Sequence, residues 1–204
     1  MIASMPDWLL WTYATLVGAC VGSFLNVCVY RLPEGLSVIR PRSRCPACET
    51  PIAWYHNLPV VSYLVLRGRC RACGAPFSPQ YAIVEVATAL IWLAAVVRFG
   101  ASWQALAVAI FFTLLLGIAL TDARTYIIPD EFTLGGLAIA VVLSLAPGGL
   151  TPSRSLAGTI VFIPISLRTK KLVPFGIFLA LGAAITEGWG DMILDWYQRR
   201  FLPG

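Results

Sequence analysis

Charge is what this sequence has least of. Asp, Glu, Lys and Arg make up 12% of the 204 residues, and 58% are hydrophobic; a soluble domain carries about 25% charged residues. Mean hydropathy is +0.78. The deficit argues against one large soluble helical core. The first seven residues contain no Lys or Arg, and the apolar run after them is too long for a secretory h-region, so no cleavable leader is expected. No low-complexity tract occurs. No basic stripe is interleaved with aromatics, so the net charge of +5 is not a nucleic-acid footprint. There is no inverted repeat and little charge at membrane depth, which counts against a transporter.

What the chain has instead is long apolar runs. Trp8 to Tyr30, Tyr81 to Val97, Trp103 to Thr121, Phe132 to Ala146 and Leu172 to Trp189 stand out, with a shorter run over Leu156 to Leu167. A bilayer span needs about 17 to 25 residues, and backbone polar groups inside lipid must be satisfied within the segment, so these runs read as helices. The expected fold is an all-α polytopic membrane protein of about six hydrophobic helices. Residues 1–30 supply the first transmembrane helix, 31–80 a loop domain, and 81–204 the remaining transmembrane domain.

The basic residues orient it, because positive charge favours the cytoplasmic side. The loop between the first two runs holds Arg31, Arg40, Arg42, Arg44, Arg67, Arg69 and Arg71 against Glu34 and Glu49. Placed in the cytoplasm, with six crossings, it is joined there by Arg124, Arg168, Lys170 and Lys171. Arg98, Arg154, Arg199 and Arg200 fall outside. The charge asymmetry is then an orientation signal and an attraction to anionic lipid.

The same loop carries a local repeat, RCPACETPI from Arg44 and RCRACGAPF from Arg69. Cys45, Cys48, Cys70 and Cys73 form two CxxC pairs separated by 21 residues, just beyond the usual 15 to 20. Two knuckles presenting two thiolates each close a tetrahedral zinc site, structural rather than hydrolytic because no coordination position stays open. Two disulfides or free thiols are the alternative, and a cytoplasmic loop disfavours the former. His56 lies between the pairs but is not needed as a ligand and reads as an ordinary loop residue. Cys20 and Cys28 read as small buried apolar residues of the first helix. Gly18 and Gly22 in that helix suit close helix packing.

Ionisable groups at membrane depth are expensive, so each is a functional candidate. Glu85 lies about one turn into the second helix and Asp122 ends the third, both at the cytoplasmic side. Asp130 and Glu131 follow across the loop DARTYIIPDE, where acids also suit a helix start. Two neighbouring carboxylates can divide the labour of peptide hydrolysis, one as base toward water and one as acid toward the leaving amine.

Four stretches resemble the type IV prepilin leader peptidases: VGSFLNVCVYRLP (21–33), the cysteine segment and the helix start after it (42–85), ALTDARTYIIPDEFTL (119–134) and VPFGIFLALGAAI (173–185). The resemblance implies a bacterial inner-membrane aspartic endopeptidase that cuts the basic leader from type IV pilin or pseudopilin precursors at the cytoplasmic face. It also implies a part in type II secretion and methylation of the new N-terminus from S-adenosylmethionine. Asp122 occupies the place of the first catalytic aspartate.

The second catalytic aspartate of that family lies in a Gly-x-Gly-Asp-x-Lys motif before the Pro-Phe-Gly segment. Here GWGD (188–191) follows VPFG, and Ile193 stands where Lys is expected. An 18-residue last helix is about 27 Å long, so Asp191 is expected outside, opposite Asp122. The chain therefore reads as lacking an internal segment, its halves joined between about 162 and 164. Glu85 and Asp130 are then the substitute partners for Asp122. A degenerate, non-catalytic paralogue that only binds precursors or assembly proteins is the alternative reading.

Overall fold

The computed structural model describes residues 6–144. They form five α-helices: α1 (Asp7–Arg31), α2 (Val61–Val65), α3 (Gln80–Phe99), α4 (Trp103–Thr125) and α5 (Asp130–Ser144). Short 3₁₀ turns lie at Leu32–Glu34 and Trp54–His56. Two isolated antiparallel bridges are the β-structure among the described residues.

Three segments have the length and apolarity to cross a bilayer: Asp7–Glu34, Gln80–Phe99 and Trp103–Thr125. They fall on the first three runs expected from sequence. The fourth run is helical as α5 as far as Ser144. The fifth and sixth, Leu156 to Leu167 and Leu172 to Trp189, lie outside the described residues, as do the join near 162–164 and Asp191.

Local chemistry sets the helix ends. Asp7 in the first turn of α1 and Arg31 in its last complement the helix dipole. Pro33 and a left-handed Gly35 (φ 66°) stop the chain from continuing. Ser102 caps α4 by accepting the Ala105 amide at 3.1 Å. At its other end Tyr126 turns left-handed and its amide reaches the Asp122 carbonyl at 3.0 Å.

Helices with no hydrophobic drive to associate in lipid rely on close approach and buried polar bonds. α1 and α3 run antiparallel along a stripe of small residues. A Cβ added at Gly18 would lie 2.8 Å from Trp92 Cβ and 2.9 Å from Ala89 Cα, and one at Gly22 would lie 2.8 Å from Glu85 Cα. One turn further on, Asn26 Nδ2 donates to the Tyr81 carbonyl at 3.0 Å. Between α3 and α4, Trp92 Nε1 donates to Thr113 Oγ1 at 3.1 Å, above a layer of Ala95, Ala105 and Ala109. The Gly18/Gly22 spacing thus marks a real contact surface. Cys28 is buried, as expected, but Cys20 is exposed. It sits two residues from both Gly18 and Gly22, on the flank of α1 away from that stripe.

Gly22→Ala is expected to lower stability by about 1–3 kcal/mol, the usual cost of overpacking, because its Cβ meets helix backbone. Gly135, with nothing within 4 Å of its added Cβ, is the control. Gly135→Ala should be neutral or stabilising by up to ~1 kcal/mol of helix propensity. Thermal unfolding in detergent reads both; equal shifts would refute the packing role of Gly22.

Candidate functional site

The cysteine repeat folds as two knuckles with the same backbone hydrogen-bond pattern. In the first, Cys45 N–H bonds the Thr50 carbonyl (3.1 Å), Glu49 N–H the Cys45 carbonyl (2.9 Å) and Ile52 N–H the Ser43 carbonyl (2.9 Å). In the second, Cys70 N–H bonds Ala75 (2.8 Å), Gly74 N–H bonds Cys70 (2.9 Å) and Phe77 N–H bonds Gly68 (2.7 Å). Bridges Arg44–Pro51 and Arg69–Pro76 close each turn. The residue after the second cysteine is left-handed in both, Gly74 at φ 71° and Glu49 at φ 56°. A glycine meets that requirement without strain and a glutamate does not.

The four sulfurs all lie within 4.8 Å of one another. Cys45 Sγ is 3.8 Å from Cys73 Sγ, and Cys48 Sγ is 4.0 Å from Cys70 Sγ. A tetrahedron of ligands about 2.3 Å from zinc has edges of about 3.8 Å, whereas a disulfide needs sulfurs about 2.0 Å apart. All four thiols are free of disulfides, and each pair across the cluster joins one knuckle to the other. The donor set suits a metal chemically. The Thr50 hydroxyl, 3.3 Å from Cys48 Sγ, and the Thr50 amide hold the Cys48 thiol down to about 6. Backbone amides of Cys73 and Ala72 also lower Cys70. At Cys73 the Ala75 amide pulls down, but the neighbouring sulfurs prevail and push it up to about 11. Crowded thiolates repel, and a cation is what relieves them.

Apolar burial contributes little to this module. Between Leu32 and Pro79 only Cys45, Gly68 and Cys70 are buried, so the cysteines themselves are its core. His56 lies in the loop between the two knuckles. Its Nε2 lies 3.3 Å from Arg71 NH1 on the second knuckle, and its ring packs edge-on against Tyr55.

The module sits at the end of the bundle that also carries the α4–α5 turn. Asp122 lies there, in the last turns of α4, 4% exposed and partnered within the fold. Thr121 beside it is fully buried, its hydroxyl returned to the Gly117 carbonyl at 2.9 Å. Leu25, Cys28 and Val29 of α1, Val84 of α3, Ile118 of α4 and Phe132 of α5 form one apolar cluster at this end. Phe132 and Leu25 close over Gly117, where an added Cβ would meet them at 2.7 and 2.8 Å.

The other acidic candidates separate clearly. Glu85 is buried, 8% exposed, and its Oε2 accepts the Val60 amide at 2.7 Å, tying the cysteine module to α3. Asp130 and Glu131 are exposed in the first turn of α5, where negative charge suits the helix dipole. Asp191 is outside the described residues.

Two features of this end went unread in the sequence. Arg124, counted only as an orientation charge, lies over the Tyr30 ring at 3.8 Å and donates to the Val29 carbonyl at 3.2 Å. Tyr30 in turn stacks on Tyr81 at 5.4 Å. This cation–aromatic stack fastens the last turn of α4, two residues from Asp122, to α1 and α3. Asn26, buried at 2% with its Oδ1 unpartnered, is the other. A lone amide in an apolar run was the available signal for it.

Comparison with known sequences gives one family match: the Bacterial Peptidase A24 N-terminal domain, over residues 16–99. A prepilin leader peptidase/N-methyltransferase of Myxococcus xanthus (strain DK1622) is 40% identical over 171 residues, which cover 82% of this chain and 50% of that protein. The chain thus spans half the length of that relative. One from Klebsiella pneumoniae, bearing the same name, is 34% identical over 205 residues, covering 95% of this chain and 88% of its own. The Aeromonas hydrophila relative is 28% identical over 278 positions, covering 96% of both. This chain has only 204 residues, so at least 74 of those positions face gaps in it. No solved structure matches significantly.

Proposed function

The chain belongs to the prepilin leader peptidase/N-methyltransferase family, and we propose that it is a bacterial inner-membrane aspartic endopeptidase. Its substrates are type IV pilin or pseudopilin precursors, from which it removes the basic leader. The observation that carries this reading is the burial of Asp122 at the end of a membrane-length helix, at the end of the bundle shared with the arginine-rich cysteine module. That module faces the cytoplasm by its charge, and a basic leader reaches the site from the same side.

In this reading the Asp122 carboxylate takes the proton of a water as it attacks the scissile carbonyl, and a second carboxylate protonates the leaving amine. The apolar cluster around Gly117 and Phe132 keeps bulk water off the back of the site. The Arg124–Tyr30–Tyr81 stack holds the end of α4 in place. For the second carboxylate, Glu85 has one oxygen engaged by Val60, which weighs against it. Asp130 is tethered to Asp122 by the short turn between α4 and α5. Cys45, Cys48, Cys70 and Cys73 hold a structural zinc. The relatives' name joins peptidase to methyltransferase, and S-adenosylmethionine is the methyl donor that such an activity would draw on. No residue of this chain is assigned to it.

A second reading has one observation in its favour. The gaps against the Aeromonas relative are in keeping with an internal deletion; lying near 162–164, as the sequence reads, it would remove the second aspartate and leave a non-catalytic binding or assembly protein. Against it, the Klebsiella relative carries the enzyme's name and aligns over 205 positions with 88% of its own chain. Co-expression with a type IV prepilin in a peptidase-deficient host decides the matter. The expected product is precursor shortened by its leader; unprocessed precursor beside well-expressed, folded chain would establish the second reading.

A further inference from the structure

The cysteine module has an apolar side that neither the metal cluster nor the bundle uses. From Trp54 to Leu66 the chain is rich in large apolar groups that stay exposed: Trp54 at 77%, Leu64 at 68% and Val65 at 74%, with Leu58 and Val61 also exposed. In a water-bathed loop this would be an unusual concentration of apolar surface.

The anchoring of this segment says what lies against it. Val60 N–H bonds Glu85 Oε2 at 2.7 Å. Glu85 is five residues into α3, about 7.5 Å along its axis, and helical side chains lean back toward the N-terminus. Val60 therefore lies level with the first turn of a helix that has the length and apolarity to cross the bilayer. The tie holds a tight turn at Val60 (φ 61°, ψ −49°), in which the Val61 amide reaches the Pro59 carbonyl at 2.6 Å. A β-branched residue is rarely found there. At the same level along its axis α3 presents Ile83, itself 64% exposed, so this end of the bundle also carries apolar surface. Arg67, Arg69 and Arg71 follow directly on the segment and are exposed.

We propose that residues 54–66 form a monotopic element lying in the headgroup–acyl boundary of the cytoplasmic leaflet. Leu58, Val61, Leu64 and Val65 enter the acyl region, Trp54 and Tyr55 sit at headgroup level, and the following arginines bind anionic lipid phosphates. Apolar insertion beside basic residues is the pattern of interfacial segments, and aromatics prefer that boundary. The element seats the zinc module on the membrane surface, with Glu85 as its tether.

The test uses the full chain in vesicles of phosphatidylethanolamine and phosphatidylglycerol. A benzophenone amino acid is placed at Leu64 and, separately, at Val65, with Leu90 of α3, also exposed, as the lipid-facing reference. Irradiation should add the mass of one phospholipid at both test positions, in yield comparable to Leu90. Crosslinks to another part of this chain, crosslinks only to an added prepilin, or no adduct would each overturn the proposal. In parallel, lipids brominated on the acyl chain should quench the emission component that Trp54→Phe removes; an unquenched Trp54 would count equally against it.

Discussion

Asp122→Asn should abolish prepilin processing, lowering it by about 10²–10⁴-fold, the range spanned by loss of a general acid–base group. The substitution keeps size and shape while removing the charge and the ability to take up a proton, so folding should survive. Wild-type yield and an unshifted unfolding midpoint would confirm that. The informative comparison is with the other carboxylates. Glu85→Gln keeps an oxygen for the Val60 amide and should retain most activity; loss as deep as that of Asp122→Asn would make Glu85 the partner carboxylate. Asp130→Asn should impair cleavage, while Asp191→Asn should leave it unchanged. Robust wild-type activity abolished by Asp191→Asn would overturn the placement of the site and assign the second carboxylate to GWGD. Full activity in Asp122→Asn would end the aspartic-peptidase reading altogether.

Removing the metal should have the largest structural effect. Purified chain is expected to carry about one equivalent of zinc, and Cys45→Ser or Cys73→Ser less than a tenth of that. Structural zinc binding contributes about 10–16 kcal/mol in small zinc modules, as much as or more than the whole stability of a typical domain. Residues 32–79 bury only Cys45, Gly68 and Cys70, so no apolar core remains when the cluster opens. Chelation or either substitution should therefore make the segment between the knuckles protease-sensitive. The helices α1, α3 and α4 should stay folded, since their contacts do not run through the sulfurs. A metal-free wild-type chain with a protease-resistant module would refute the assignment, and so would a disulfide within either pair.

The substitutions differ in reach because the two sites are built differently. The zinc cluster is short-range: each knuckle forms its own turn within nine residues, and the ion joins the two. The Asp122 end is long-range, assembled from α1, α3, α4 and α5. Damage to Arg124 or Gly22 should spread to Asp122 through helix packing, while damage to a cysteine should stay within the module.

What the sequence by itself determined was whatever depends on neighbours along the chain. The spans of α1, α3 and α4 followed from run length, because a backbone in lipid has to close its own hydrogen bonds. The knuckles followed from CxxC spacing, because two cysteines three apart share one turn. Asp122 stood out because an acid at the end of an apolar helix is costly. The tertiary structure alone decided which faces meet, and that depends on residues far apart. Asn26 finds Tyr81 across 55 positions, Arg124 finds Val29 across 95, and Glu85 finds Val60 across 25. In helices apolar on every side, periodicity does not mark the buried face. Cys20 and Cys28 therefore read alike in sequence but differ in the fold. Glu85 likewise reads as a free carboxylate at membrane depth, yet packing gives it a backbone amide to hold. Close approach at Gly18 and Gly22 sets the rotation of α1 against α3, and with it the meeting of Asn26 and Tyr81.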